Sequence, residues 1–361
     1  MIRMKALDSL RGIAALVVVL HHIRLMYSET PGWIKYSPLR ALFSGESAVI
    51  VFFVLSGFVL YFALNSKNPG SFWSFANKRF WRIYPAFCVA ILASTALWYF
   101  VDPSPVSGLS DWAKDLNWQL RPTFSVVMGH LAMTDVEALY SLDNVMWSLV
   151  IELRLSLLFP LIAMAVKRDW RVACLASIVV SVACAYLEGQ LAAGWPFNPF
   201  HTGRYLYLFV IGATLAEKSG VVRRVVQGLN GWNRLGLWCS ALVLFSTNPA
   251  HVGGVPAAIG SALLVALAFA DSKVEAALST PIPLWLGKVS YSLYLIHVPI
   301  LIAAAHLLIG TMPMIQILAL AGATALCASE IFYRLIELPS IKIGRLMAEK
   351  ISPQTVSPKF A

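Results

Sequence analysis

Apolar blocks of about 15–23 residues, long enough to cross a bilayer as helices, recur from end to end of this 361-residue chain. Short polar stretches bearing Pro or Gly separate them. Hydrocarbon offers no hydrogen bonds, so each block must satisfy its own backbone groups and fold as a helix. Composition agrees: 58% of residues are hydrophobic and 13% charged, against about 45–50% and about 25% in soluble domains. The fold class implied is all-α, a polytopic membrane protein with about ten transmembrane helices. They are expected near residues 9–26, 46–64, 82–100, 146–166, 172–190, 204–217, 233–248, 254–270, 288–309 and 314–337. No small-residue cleavage site precedes Arg24, so the first block reads as a retained helix and not a signal peptide. Residues 1–340 read as one membrane domain and 341–361 as a short polar tail.

Cytoplasmic connections of membrane proteins collect Lys and Arg. Here basic residues gather at Arg3, Lys5 and Arg11, at Lys67, Lys78, Arg79 and Arg82, and at Lys167, Arg168 and Arg171. Further groups are Lys218, Arg223, Arg224 and Arg234, then Lys342, Arg345, Lys350 and Lys359. The long connection at 101–145 carries Asp102, Asp111, Asp115, Asp135, Glu137 and Asp143 instead. Both termini are therefore expected in the cytoplasm, and the net charge of +10 reads as topology. No basic block interleaves with exposed aromatics, so nucleic acid is not an expected partner. Within the long connection, Phe124–Met133 is too short to span and is expected to lie on the interface or cover an outer cavity. The cysteines, Cys88, Cys174, Cys184, Cys239 and Cys327, all sit in apolar blocks and read as small buried residues. No His or carboxylate pair has ligand spacing within a helix, so no metal is expected.

Ionisable groups at bilayer depth cost several kcal/mol unless paired or hydrated, which makes them functional candidates. Eleven residues at about 100° each return His22 to within about 20° of Arg11, about 16 Å further along the first helix. His21 points away and reads as structural. Arg79 and Arg82 are three apart and share a face if their helix has begun. Two guanidiniums there suit a phosphate-rich ligand, or a plain positive-inside flank. Glu152, in Trp147-Ser148-Leu149-Val150-Ile151-Glu152, needs a partner; His22 is the expected one, with Arg154 as the structural alternative. His297 lies near the middle of the ninth segment with Tyr294 one turn below, and either bridges helices or serves the site. Ser56 and Gly57 form a small-residue notch for close packing.

These pieces, in this order, resemble the acyltransferase family 3 membrane proteins, which include bacterial O-antigen and polysaccharide O-acetylases. The resemblance runs through Leu7-Asp8-Ser9-Leu10-Arg11-Gly12 with His22, Phe52–Phe58, Arg79–Pro85, Trp147–Glu152, Ser290–His297 and Glu337-Leu338-Pro339. It implies that His22 is catalytic, that Arg79 and Arg82 serve the acyl-CoA donor, and that Glu152 is the Glu of the family's Trp-Ser motif. The implied partners are acetyl-CoA and a glycan or lipid-linked glycan, in the lipid bilayer of a bacterial inner membrane; oligomeric state is left open. The chain departs from the family at Ile50, where many members are acidic, and at Leu153, Arg154, Leu155 and Ser156 after the motif Glu.

The mechanism implied has coenzyme A docking from the cytoplasm, its phosphates near Arg79, Arg82 and Arg11. His22, oriented by Glu152, takes a proton from the acceptor hydroxyl, or carries the acyl group itself. Ser56 and Gly57 are expected to leave room for the pantetheine arm. The rival reading is a transporter or exporter, against which stands the lack of an internal repeat.

Overall fold

The computed structural model describes residues 4–26, 32–66, 70–103, 109–115, 117–134, 141–191, 197–247 and 254–351. Arg3, Lys67, Asp135, Glu137 and Lys359, which entered the charge argument, lie outside the described residues. In chain order the elements are α1 (Lys5–Leu25), α2 (Gly32–Lys35), a 3-10 turn (Pro38–Phe43), α3 (Gly45–Leu64), α4 (Phe72–Val101), α5 (Asp111–Asp115) and α6 (Phe124–Leu131). Then come α7 (Met146–Arg168), α8 (Trp170–Leu191), α9 (Pro199–Gly203), α10 (Leu206–Glu217), α11 (Ser219–Gly228), α12 (Gly231–Phe245), α13 (Val255–Ala270) and α14 (Ser272–Leu278). The last are α15 (Pro281–Leu308), α16 (Met314–Phe332), a π-turn (Tyr333–Glu337) and α17 (Leu338–Ile351). No strand occurs among the described residues.

Among the described residues, seven helices are long and apolar enough to cross a membrane: α1, α3, α4, α7, α8, α15 and the continuous α16–α17 stretch. Two bent pairs raise the number to nine; α9–α10 meets α11 at 73° and α13 meets α14 at 89°. The expected helix at 233–248 is the exception. Its counterpart α12 has 15 residues, about 22 Å of rise, short of the about 30 Å hydrocarbon core.

Three boundaries differ in ways that matter. The third segment begins at Phe72, not residue 82, because Ser71 caps it by accepting from the Ser74 N–H at 3.2 Å. The polar residues of its first turns are paired with a neighbour: Asn77 donates to the Gly344 carbonyl at 2.9 Å and Ser74 to that of Ala348 at 3.3 Å. Arg79 and Arg82 thus lie well inside α4. The same contacts explain why residues 341–351, expected as the start of a polar tail, continue as helix α17 against α4. Residues 352–361 of that tail lie outside the described residues. The expected helix at 314–337 is interrupted by the π-turn. Pro339 lacks an N–H and crowds the carbonyl four residues back, and the widened turn before it relieves that clash.

Glycines set the closest helix approaches, as expected where dispersion and shape drive association. A Cβ on Gly12 would lie 2.3 Å from the Gly287 nitrogen, so α1 and α15 touch backbone to backbone. Ten residues further along each helix, His22 meets His297. Contacts that advance together mean the two helices run parallel. A Cβ on Gly57 would lie 2.2 Å from the Phe209 carbonyl oxygen, and one on Gly212 2.0 Å from that of Val54, which welds α3 to α10.

Part of the long connection folds back onto α1 and α4. Ser110 donates its N–H to the Met26 carbonyl at 3.2 Å, tying α5 to the end of α1. Within the stretch Phe124–Met133, residues Phe124–Leu131 form α6, which leans on α4, where the Tyr84 hydroxyl donates to the Leu131 carbonyl at 2.8 Å.

Candidate functional site

A cavity of roughly 230 Å³ lies among α1, α3, α4, α7 and α15. Arg11, Arg79, Arg82, Ser56, Ser148, Glu152 and Tyr294 line it, so the structure brings together seven residues singled out from sequence. Arg11 is held 3.7 Å from Asp8, one turn back, with both half-buried. Arg79 lies over the Phe75 ring at 5.8 Å. Among the described residues, neither Arg79 nor Arg82 makes an ion pair or a hydrogen bond. Their planar donor sets are therefore free to meet an anion in the cavity.

Glu152 takes the hydroxyl of Ser56 at 2.9 Å. The expected His22–Glu152 pair is not formed, and Arg154 is not its partner either. Arg154 faces elsewhere on α7 and donates to Thr202 at 3.2 Å and to the Met133 carbonyl at 2.9 Å. The His22 ring instead turns to α15: its Nδ1 lies 2.8 Å from Nε2 of His297. The physical reason is the backbone approach of α1 and α15 at Gly12 and Gly287, which brings these rings into register. His297 is fully buried, and its Nδ1 faces the carbonyls of Leu293 at 3.0 Å and Tyr294 at 2.9 Å. Trp112, on α5, stacks on His22 with centroids 5.0 Å apart and planes 14° apart. His21 serves structure as expected: its Nδ1 lies 2.7 Å from the Phe43 carbonyl.

Tyr294 joins the two regions. It lines the cavity, its hydroxyl lies 2.7 Å from that of Ser148, and its ring is 6.0 Å from that of His297. The histidine pair thus lies one layer beyond the Ser148–Tyr294 contact. Trp147 points away, among Phe53, Tyr205 and His201, with ring centroids 6.3, 5.6 and 6.3 Å distant. Gly57 also leaves the cavity: the backbone of α10 fills its notch, so Gly57 makes no room for a ligand arm, while its neighbour Ser56 does line the cavity.

The π-turn supplies a buried carboxylate to which the sequence pattern assigns no role. Glu337 is 3% exposed, accepts the Ser292 hydroxyl at 2.7 Å and feels the charges of Arg82 and Arg11. It sat at the edge of the expected tenth segment, where a carboxylate looks interfacial. Tyr291, which donates to the Ile83 carbonyl at 2.8 Å, and Ser290 also line the cavity. No three His, Cys, Asp or Glu among the described residues converge as metal ligands.

The family model described as an acyltransferase domain, that of acyltransferase family 3, matches residues 4–334. The chain is 28% identical over 333 residues to acyltransferase MdmB of Streptomyces mycarofaciens, covering 86% of this chain and 81% of that one. It is 24% identical over 371 residues to O-acetyltransferase PaAT-1 of Phomopsis amygdali, covering 84% and 73%. A protein of Rhizobium radiobacter named protein 2 in picA locus is 34% identical over 134 residues, covering 35% of this chain and 61% of that one. No solved structure matches at a significant level.

Proposed function

Since the chain belongs to acyltransferase family 3 and is a membrane acyltransferase, we propose that it moves an acyl group, acetyl in the first instance, from acyl-CoA to a hydroxyl of a glycan or lipid-linked glycan. The observation that carries this reading is the pair of guanidiniums, Arg79 and Arg82, that make no ion pair or hydrogen bond among the described residues and line a cavity that ends one ring from the buried His22–His297 pair. The similarity to PaAT-1, an O-acetyltransferase, supports oxygen as the acceptor atom and acetyl as the group.

Coenzyme A presents phosphates, and planar guanidiniums are suited to hold them by paired charge-assisted bonds. The cavity of roughly 230 Å³ is below the about 300–1,000 Å³ of pockets that enclose drug-sized ligands. It takes the pantetheine arm, with the nucleotide at its arginine end. The thioester passes the Ser148–Tyr294 hydrogen bond to reach His22. There the acceptor oxygen attacks the thioester carbon while His22 takes its proton. The C–S bond breaks, and the leaving thiolate receives the proton from His22. Holding both reactants in line supplies much of the acceleration, and the base about 10²–10⁴-fold.

We place the protein in a bacterial inner membrane with both termini cytoplasmic, so that the donor enters from the cytoplasm. The alternation of basic and acidic connections supports this.

The test is transfer of label from radiolabelled acetyl-CoA to the glycan and lipid fractions of native membranes carrying the protein. Labelling that requires His22 is expected. Equal labelling with His22→Ala would refute the base.

A further inference from the structure

We infer that His297 is a positioning residue that fixes which nitrogen of His22 is basic, taking the place that a carboxylate holds in Ser-His-Asp triads. This rests on the reading of His22 as the base. The proton inventory follows from which atoms can only accept. Nδ1 of His297 faces two carbonyl oxygens, of Leu293 at 3.0 Å and of Tyr294 at 2.9 Å. Carbonyls accept and never donate, so this Nδ1 carries the proton. His297 is 0% exposed and its partners are carbonyls and a histidine, with no carboxylate, so the ring is neutral. A neutral imidazole protonated at Nδ1 has its lone pair on Nε2.

That Nε2 lies 2.8 Å from Nδ1 of His22. Two lone pairs at this distance would repel, so His22 carries its proton on Nδ1 and donates it to His297. The lone pair of His22 is then left on Nε2, and that atom receives the acceptor's proton. The backbone of α15 thus sets the tautomer of α1 through one intervening ring. When His22 becomes doubly protonated, its Nδ1–H still points at the His297 lone pair, which stabilises the new charge. Other groups near His22 do not replace this contact. His21 is engaged at Phe43 with its ring centroid 5.4 Å away, Arg24 is a cation, and Glu152 holds Ser56. Trp112 fixes the ring plane by stacking, which leaves the choice of nitrogen to His297.

The experiment compares His297→Leu with His297→Gln in membranes, by transfer from radiolabelled acetyl-CoA at varied donor concentration. A Gln amide oxygen can sit where Nε2 does and accept from His22, whereas Leu cannot. His297→Leu is expected to lower kcat by about 10²-fold or more with the donor KM unchanged, and His297→Gln to stay within about tenfold of the wild type. Wild-type kcat in His297→Leu, or a Gln variant no better than the Leu variant, would overturn the inference. His22→Ala run alongside separates the two levels. If that variant keeps full transfer, the base reading falls. If it is inactive while His297→Leu is unimpaired, only the positioning role falls.

Discussion

At the arginine end of the site, Arg79 and Arg82 line a cavity and make no ion pair or hydrogen bond among the described residues, whereas at the histidine end His297 commits both ring nitrogens to protein atoms. The first arrangement leaves charge waiting for a ligand. The second fixes a single atom and leaves little freedom. Binding by charge tolerates small movements of a phosphate, but proton transfer demands hydrogen-bond reach and the right tautomer. Ser148 and Tyr294 stand between the two ends.

Substitutions at the two ends should therefore fail in different ways. The largest effect is expected at His22: His22→Ala should lower the transfer rate by about 10²–10⁴-fold while acetyl-CoA binding, measured by calorimetry, is retained. Loss of binding in that variant would erase the distinction between the ends. Arg82→Ala should do the converse, raising the donor KM by about 10- to 100-fold, the worth of one or two charge-assisted hydrogen bonds, with kcat little changed. Steady-state kinetics at saturating acceptor reads the split. Gly57→Ala touches neither end, because its new methyl would meet the Phe209 carbonyl. It should lower thermal stability by about 1–3 kcal/mol with the donor KM unchanged. A raised KM there would put the notch back in the ligand path.

The smallest effect concerns Asp143, just before α7, which is fully buried with Oδ2 lacking a partner. Burial holds its carboxyl well above the ordinary value of 3.8. The folded protein thus binds a proton that the unfolded chain releases, and stability falls as pH rises from about 3.8 toward the folded-state pKa. Asp143→Asn should flatten that slope in melting curves recorded across pH. A slope unchanged by the substitution would mean another group carries it.

Much of this was legible in the sequence, for physical reasons. Hydrocarbon thickness sets helix length, so among the described residues seven helices long enough to span and two bent pairs overlap nine of the ten expected segments. The cost of charge in lipid pointed to Arg11, Arg79, Arg82 and Glu152, which share one cavity. Periodicity could place Arg11 and His22 on one stripe but not say which helix that stripe would meet. Glu152 was thus assigned to His22, when the Gly12–Gly287 approach delivers His297 to it and leaves Glu152 to Ser56. The start of α4 was missed because its polar turns look like a loop until α17 is beside them. Glu337 was given no role because a π-turn, invisible to a 3.6-residue period, rotates it inward.

The central claim is that the arginine cavity receives acyl-CoA. Its most direct test is acetyl-CoA binding to the purified protein in lipid nanodiscs, compared with the Arg79→Ala/Arg82→Ala double variant. Saturable binding by the wild type that disappears in the double variant is the predicted result. No binding by the wild type, or equal binding by both, would contradict it.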